Sequence, residues 1–113
     1  MKGLKLQGWT ANKMPPEERR NYIRNLCIRI VYANYNRDGS PTTLNKIARK
    51  VQEHVNTRIN EHTWPANWGW VSKRSSDRRT NEACEPSWFE DGVPRLASVK
   101  AGYYVPNPVR FKQ

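Results

Sequence analysis

The apolar residues of segment 15–36, PPEERRNYIRNLCIRIVYANYN, are spaced as on one face of a helix. Two prolines and the acidic Glu17 and Glu18 stand at its start, where a helix tolerates proline and its dipole favours negative charge. The apolar stripe has the i, i+3, i+4, i+7, i+8 spacing of a helix with one buried side, at Ile23, Leu26, Cys27, Ile30 and Val31. The chain is therefore expected to build a helical core around this segment.

A second amphipathic helix is predicted directly after a turn. Residues 37–41, RDGSP, are rich in turn-forming types and should end the first helix. The new helix is expected within residues 42–62, and Ser40 or Thr43 can cap it by accepting a backbone N–H. Its apolar face comprises Leu44, Ile47, Ala48, Val51, Val55 and Ile59. The opposite, charged face predicts a solvated surface.

Segment 62–70, HTWPANWGW, interrupts the helical pattern with Pro65, Gly69 and three tryptophans. Proline and glycine shape a compact loop. The favoured prediction is that Trp64, Trp68 and Trp70 fold back over the core, because an indole buries a large apolar area. Exposed indoles that stack on single-stranded bases are the alternative.

A short polar helix and a hairpin follow. Ser72 can cap a third helix that runs to about Cys84 and ends before Pro86, because the residue before proline avoids helical geometry. Residues 95–107, RLASVKAGYYVPN, hold two strand-forming runs around a Gly-containing turn and predict a β-hairpin. The length of 113 residues fits one domain at 14–107, with an arm at 1–13 and a basic tail at 108–113.

The charge of the chain points to polyanions as partners. Lys and Arg number 20 against 10 Asp and Glu, a net charge of +10, and such a field attracts nucleic acid. In the third helix, Arg74, Arg78 and Asn81 project from one side at i, i+4, i+7. The inward positions of that helix are small or polar and bury little: Ser76, Arg79 or Thr80, and Ala83.

This order of elements resembles the winged helix-turn-helix family, especially the small members common among phage and mobile-element regulators and replication factors. Residues 43–51, TLNKIARKV, look like the first helix of a helix-turn-helix. Residues 72–83, SKRSSDRRTNEA, look like a recognition helix, and residues 95–107 like a wing. The resemblance implies a mainly α fold with a small β-hairpin, namely three helices plus a wing. The chain departs from the family where residues 61–71 replace a turn of roughly 3–4 residues.

The resemblance implies that the third helix enters the major groove of double-stranded DNA. Arginine can bridge guanine, asparagine can pair with adenine, and lysine or serine can bind phosphates. The expected contacts are Arg74, Ser75, Arg78 and Asn81 at base edges and Lys73 and Arg79 at phosphates. Lys100, at the hairpin tip, is expected to touch the DNA backbone or minor groove. The implied role is regulation of transcription or replication in the cytoplasm or nucleoid of a host cell.

Other kinds of site lack their sequence patterns. His54 and His62 do not have the spacing of a helical zinc site, and Cys27 and Cys84 have no neighbouring ligand. No phosphate-binding glycine loop or nucleophile motif occurs, so the sequence predicts no metal, no cofactor and no enzyme. The two distant cysteines are interpreted as reduced, apolar side chains. No apolar run approaches the roughly 20 residues that cross a bilayer, so a cytoplasmic protein is expected.

Two questions stay open at the level of the sequence. An interaction protein that binds and inhibits a host protein through the tryptophan loop is the alternative function, because Trp and Arg dominate the energetic centres of protein interfaces. A homodimer is open against a monomer, because Ile28, Tyr32 and Tyr35 lie beyond the apolar stripe of the first helix.

Overall fold

The computed structural model of the chain describes residues 15–61 and 70–109, which form three helices and a small antiparallel sheet. The elements run in the order α1 (Pro16–Asp38), β1 (Thr42–Thr43), α2 (Leu44–Asn60), α3 (Lys73–Glu82), a 3₁₀ turn (Pro86–Trp88), β2 (Leu96–Lys100) and β3 (Tyr103–Pro106). The predicted class, mainly α with a small β-hairpin, is confirmed.

Helix α1 begins and ends at the predicted signals. Pro15 is its N-cap, with Pro16 as its first residue, and Glu17 and Glu18 lie in the first turn. At the other end Gly39 has a left-handed conformation with φ 69°, which glycine adopts without strain, and its N–H donates to the Tyr35 carbonyl at 2.7 Å. The turn at RDGSP therefore ends the helix as predicted.

Helix α2 is capped by Thr43, one of the two predicted candidates. Its Oγ1 accepts the Lys46 N–H at 3.1 Å. Ile47, Val51 and Val55 are fully buried, which confirms the centre of the apolar face. Thr43 also belongs to β1, a short strand that sequence periodicity did not predict, because its two residues have no alternating pattern of their own.

Helix α3 is short and approaches α1 closely. Ser72 caps it as predicted, since its Oγ accepts the Ser75 N–H at 3.0 Å. The predicted inward side is confirmed, with Ser76, Thr80 and Ala83 fully buried. The Thr80 hydroxyl donates to the Ser76 carbonyl at 3.0 Å, and the Cys27 thiol of α1 lies 3.8 Å from that same carbonyl. Small buried side chains thus let the two helices meet.

The predicted hairpin is confirmed, and it lies in a three-stranded sheet of order β1-β3-β2. Both pairings are antiparallel, and Tyr104 of the central strand faces Thr42 on one side and Ser98 on the other. The β2–β3 register shifts between Ser98 and Lys100, so Val99 is the additional residue of a bulge. Val99 is 55% exposed.

The core lies where the three helices meet the sheet. Of the predicted α1 stripe, Ile23, Leu26, Cys27 and Val31 are buried, and Ile30 is half-buried. The start of β2 is joined to the end of α3, because the Arg95 and Leu96 N–H groups donate to the Ala83 carbonyl. Cys27 and Cys84 are free thiols, as predicted, and burial raises the pKa of both, that of Cys84 to about 11.

Candidate nucleic-acid interface

The outward side of α3 carries two exposed arginines that form no ion pair among the described residues. Arg74 and Arg78 are separated by four positions, so their side chains lie on one side of the helix. Within residues 15–61 and 70–109, neither guanidinium has a hydrogen-bond or ion-pair partner. They border an open cleft of about 800 Å³ that runs along this side of the helix to Trp88. The carboxylates of Asp77, Glu82 and Glu85 line the same cleft, so the anion-binding capacity of this surface depends on these two exposed guanidinium groups.

Lys73 and Asn81 lie on the same open cleft, and each has an internal partner. The Lys73 ammonium donates to the Asp77 carboxylate at 2.8 Å. Asn81 is exposed, and its Oδ1 accepts the Tyr104 hydroxyl of β3. That bond uses one lone pair of Oδ1 and leaves the NH₂ group of the carboxamide for other contacts. The structure therefore brings Lys73, Arg74, Arg78 and Asn81 together on one surface.

Ser75 lies at the border of this surface, on the side facing α1. Its backbone N–H is used by the Ser72 cap, and its side chain is half-buried. It lines a second, smaller cleft of about 340 Å³ between the starts of α1 and α3. Ser75 does not line the larger cleft, and the base contact expected of it stays a prediction.

Arg79 requires a correction, because the sequence predicted that it positions phosphates at the surface. The structure buries it to 5% exposure, and its Nη2 donates to the Glu82 carboxylate at 2.9 Å. Glu82 is three residues further along α3 and therefore lies on the same side of the helix. This local signal was available in the sequence and indicates an internal ion pair.

Sequence reasoning missed the second partner of Glu82, which is Arg24 of α1. Its Nε and Nη2 donate to Glu82 Oε1 at 2.9 and 2.7 Å, and both side chains are buried. The Arg24 guanidinium also lies 4.3 Å from the centre of the Trp88 ring. Arg24, Glu82 and Arg79, hereafter the buried ion triad, join α3 to α1. Removal of one member of such a group leaves an uncompensated buried charge.

Lys100 is the last residue of β2, at the predicted hairpin tip. Its ammonium lies 4.5 Å from the centre of the Tyr103 ring. The tip is set beside the first turn of α2, because the Leu44 N–H donates to the Gly102 carbonyl at 3.1 Å. The hairpin reaches α3 through Tyr104 and Asn81, so Lys100 itself is not part of the α3 surface.

Of the three loop tryptophans, Trp64 and Trp68 lie outside the described residues. Trp70 is 75% exposed, so the prediction that its indole covers the core is wrong. The backbone of this residue has a structural role, because its carbonyl accepts Arg19 Nη2 at 3.1 Å. Within the described ranges, no helix is both long and apolar enough to span a membrane.

Comparisons of the chain with protein-family models, with curated proteins and with solved structures give no match.

Proposed function

We propose that this chain is a double-stranded DNA-binding protein of the winged helix-turn-helix type that reads the major groove with α3. The observation that carries the proposal is a pair of exposed arginines, Arg74 and Arg78, that have no partner among the described residues. They lie on a helix whose inner side is held by buried ion pairs. The net charge of +10 adds a field that attracts DNA.

The arrangement around α3 suits this function. A groove-reading helix must be held rigidly, and the buried ion triad and the Ser72 cap fix α3 on its inner side. Arg74, Arg78 and Asn81 are the base-reading residues in this proposal, and Lys73 contacts a phosphate. The hairpin follows α3 as a wing does, and Lys100 contacts the DNA backbone from beside α2. Regulation of transcription or replication in a phage or mobile element rests on the family resemblance.

The test is a selection of duplex sequences followed by fluorescence anisotropy. Arg78→Ala should weaken binding to the selected duplex by about 1–3 kcal/mol and relax the preference at one base pair. Arg49→Ala is the matched control, because Arg49 is an exposed arginine on α2, with a side chain 62% exposed. Absence of duplex affinity in the wild-type protein at low salt would refute the proposal.

A second function, binding of a host protein, is favoured by one observation, the 75% exposure of Trp70. Exposed tryptophans anchor protein interfaces because they bury large areas. A pull-down from nuclease-treated lysate with wild type and Trp70→Ala separates the two functions. A stoichiometric partner that survives nuclease and is lost with Trp70→Ala supports this candidate, whereas loss of all partners on nuclease treatment supports DNA binding.

A further inference from the structure

The cleft between the starts of α1 and α3 is lined almost entirely by cations and hydroxyls. Its volume is about 340 Å³. Two arginines come from the first turns of α1 and three from α3, with a serine pair at the N-terminus of α3. The lining residues are Arg19, Arg20, Ser72, Arg74, Ser75 and Arg78, and buried Arg79 completes them. No carboxylate belongs to this lining.

Three of the arginines that line the cleft form no ion pair among the described residues. Outside the lining, the Glu82 carboxylate accepts from both Arg24 and Arg79 of the buried ion triad, and the Asp77 carboxylate accepts from Lys73. Among the described residues, the guanidinium of Arg20 has no partner, as is also the case for Arg74 and Arg78. Such crowding of like charges is relieved when an anion enters.

Arg79 adds a buried positive charge beside the cleft. It is 5% exposed, it lines the cleft, and its Nε has no hydrogen-bond partner within the described part of the chain. Burial lowers the pKa of its guanidinium, and the charges of Arg24, Arg20 and Arg78 lower it further, against the opposing effect of Glu82. The buried positive charge of Arg79 adds to the potential that the exposed arginines create in the cleft, and this potential favours an anion.

The remaining donors are held in place before any ligand arrives. Arg19 Nη2 is bound to the Trp70 carbonyl, which limits the movement of that side chain. Ser72 Oγ accepts the Ser75 N–H, so its own hydroxyl hydrogen is free to donate. The N-terminus of the ten-residue α3 also directs its positive dipole end toward this region.

We infer that this cleft binds one phosphate group and that, in the complex with duplex DNA, this group belongs to the DNA backbone. The inference rests on the proposed function, and it adds α1 to the interface. Arg74 and Arg78 line both this cleft and the outward side of α3. The bound phosphate therefore flanks the groove that α3 occupies and fixes the register of the helix.

The first experiment measures duplex affinity by anisotropy over a series of KCl concentrations for Arg20→Gln and Arg37→Gln. Both variants remove one exposed α1 cation, and Arg37 lies at the opposite end of the helix. Arg20→Gln should make the slope of log affinity against log salt shallower by about 0.9, equally for selected and random duplexes. Arg37→Gln should leave the slope close to that of the wild type.

The second experiment titrates the ¹⁵N-labelled proteins with inorganic phosphate and follows the Ser72 and Ser75 amides. Wild type and Arg37→Gln should show saturable chemical-shift changes at these amides, and Arg20→Gln should not. This result supports phosphate binding in the cleft even if the wild type binds no duplex. If phosphate binds but no duplex does, the proposed DNA-binding function is refuted and the ligand is a free phosphate group. A change in the duplex slope specific to Arg20→Gln assigns the phosphate to the DNA backbone. If neither measurement separates Arg20→Gln from Arg37→Gln, the inference is overturned.

Discussion

Arg78 and Arg79 are neighbours in α3, and the structure gives them opposite surroundings. Arg78 is exposed and has no partner among the described residues, whereas Arg79 is 5% exposed and bound to Glu82. Adjacent helical positions differ by about 100° around the axis, so consecutive arginines face different environments. The comparison teaches that the inner arginine holds the helix and the outer arginine is available to a ligand. Net charge alone does not distinguish the two.

The largest expected effect concerns the inner side. Arg24→Ala removes one partner of the buried Glu82 carboxylate and should lower the free energy of unfolding by about 3–5 kcal/mol, measured by urea denaturation. Arg37→Ala is the control, because its ion pair with Asp38 is exposed and should contribute about 0–1 kcal/mol. If both variants lost a similar amount of free energy of unfolding, the buried ion triad would not be what holds α3 in place.

The cap of α3 should have a smaller effect. Ser72→Ala removes the acceptor of the Ser75 N–H and should cost about 1 kcal/mol of stability, measured by thermal or urea unfolding. Ser40→Ala is the matched change, because Thr43, and not Ser40, caps α2. If Ser72→Ala were as stable as the wild type, the start of α3 would be held by contacts other than its cap.

A substitution at the hairpin tip distinguishes residues that contact phosphates from residues that read bases. Lys100→Ala should make the salt slope of duplex binding shallower by about one unit and weaken selected and random duplexes equally, because it contacts phosphate and no base. Lys50→Ala on α2 serves as the control for the loss of one lysine. A loss of sequence preference in Lys100→Ala would instead assign the hairpin to base reading.

The smallest effect is a dependence of stability on pH that does not involve the α3 surface. His54 accepts or donates a hydrogen bond with the Tyr22 hydroxyl at 2.7 Å, and burial, aided by Arg29 and Arg58, lowers its pKa from 6.5. A lowered pKa in the folded state favours the neutral ring. The contribution of His54 to the free energy of unfolding is therefore complete above pH 6.5. It is lost as the pH falls through the lowered pKa of the folded state.

Urea unfolding from about pH 7 to about pH 5 should show this decline, and His54→Gln should reduce it. His54 is not among the residues that line the α3 cleft, so duplex affinity of the folded protein should not follow the same curve. An unchanged pH dependence in His54→Gln would exclude the histidine as its source.

Local patterns account for what the sequence predicted correctly. The α1 stripe, the Thr43 and Ser72 caps and the β2–β3 hairpin each depend on residues a few positions apart, whose spacing is visible in the chain. The link between Arg24 and Glu82 joins residues 58 positions apart, and the phosphate cleft joins the starts of two helices, so no local period reveals them. The charge of Arg79 alone predicts a surface position, whereas its spacing from Ser76 and Ala83 predicts the inward position that it occupies.

The most direct test of this account compares Arg78→Gln and Arg79→Gln, two changes that remove the same charge from adjacent residues. Duplex affinity is measured by anisotropy and stability by urea unfolding, with affinities taken where circular dichroism shows both variants to be folded. Arg78→Gln should lose affinity for the selected duplex and change stability by less than about 0.5 kcal/mol. Arg79→Gln should lose several times more stability and keep most of its sequence preference. Equal effects of the two variants on both properties would contradict the division of α3 into an anchoring side and a reading side.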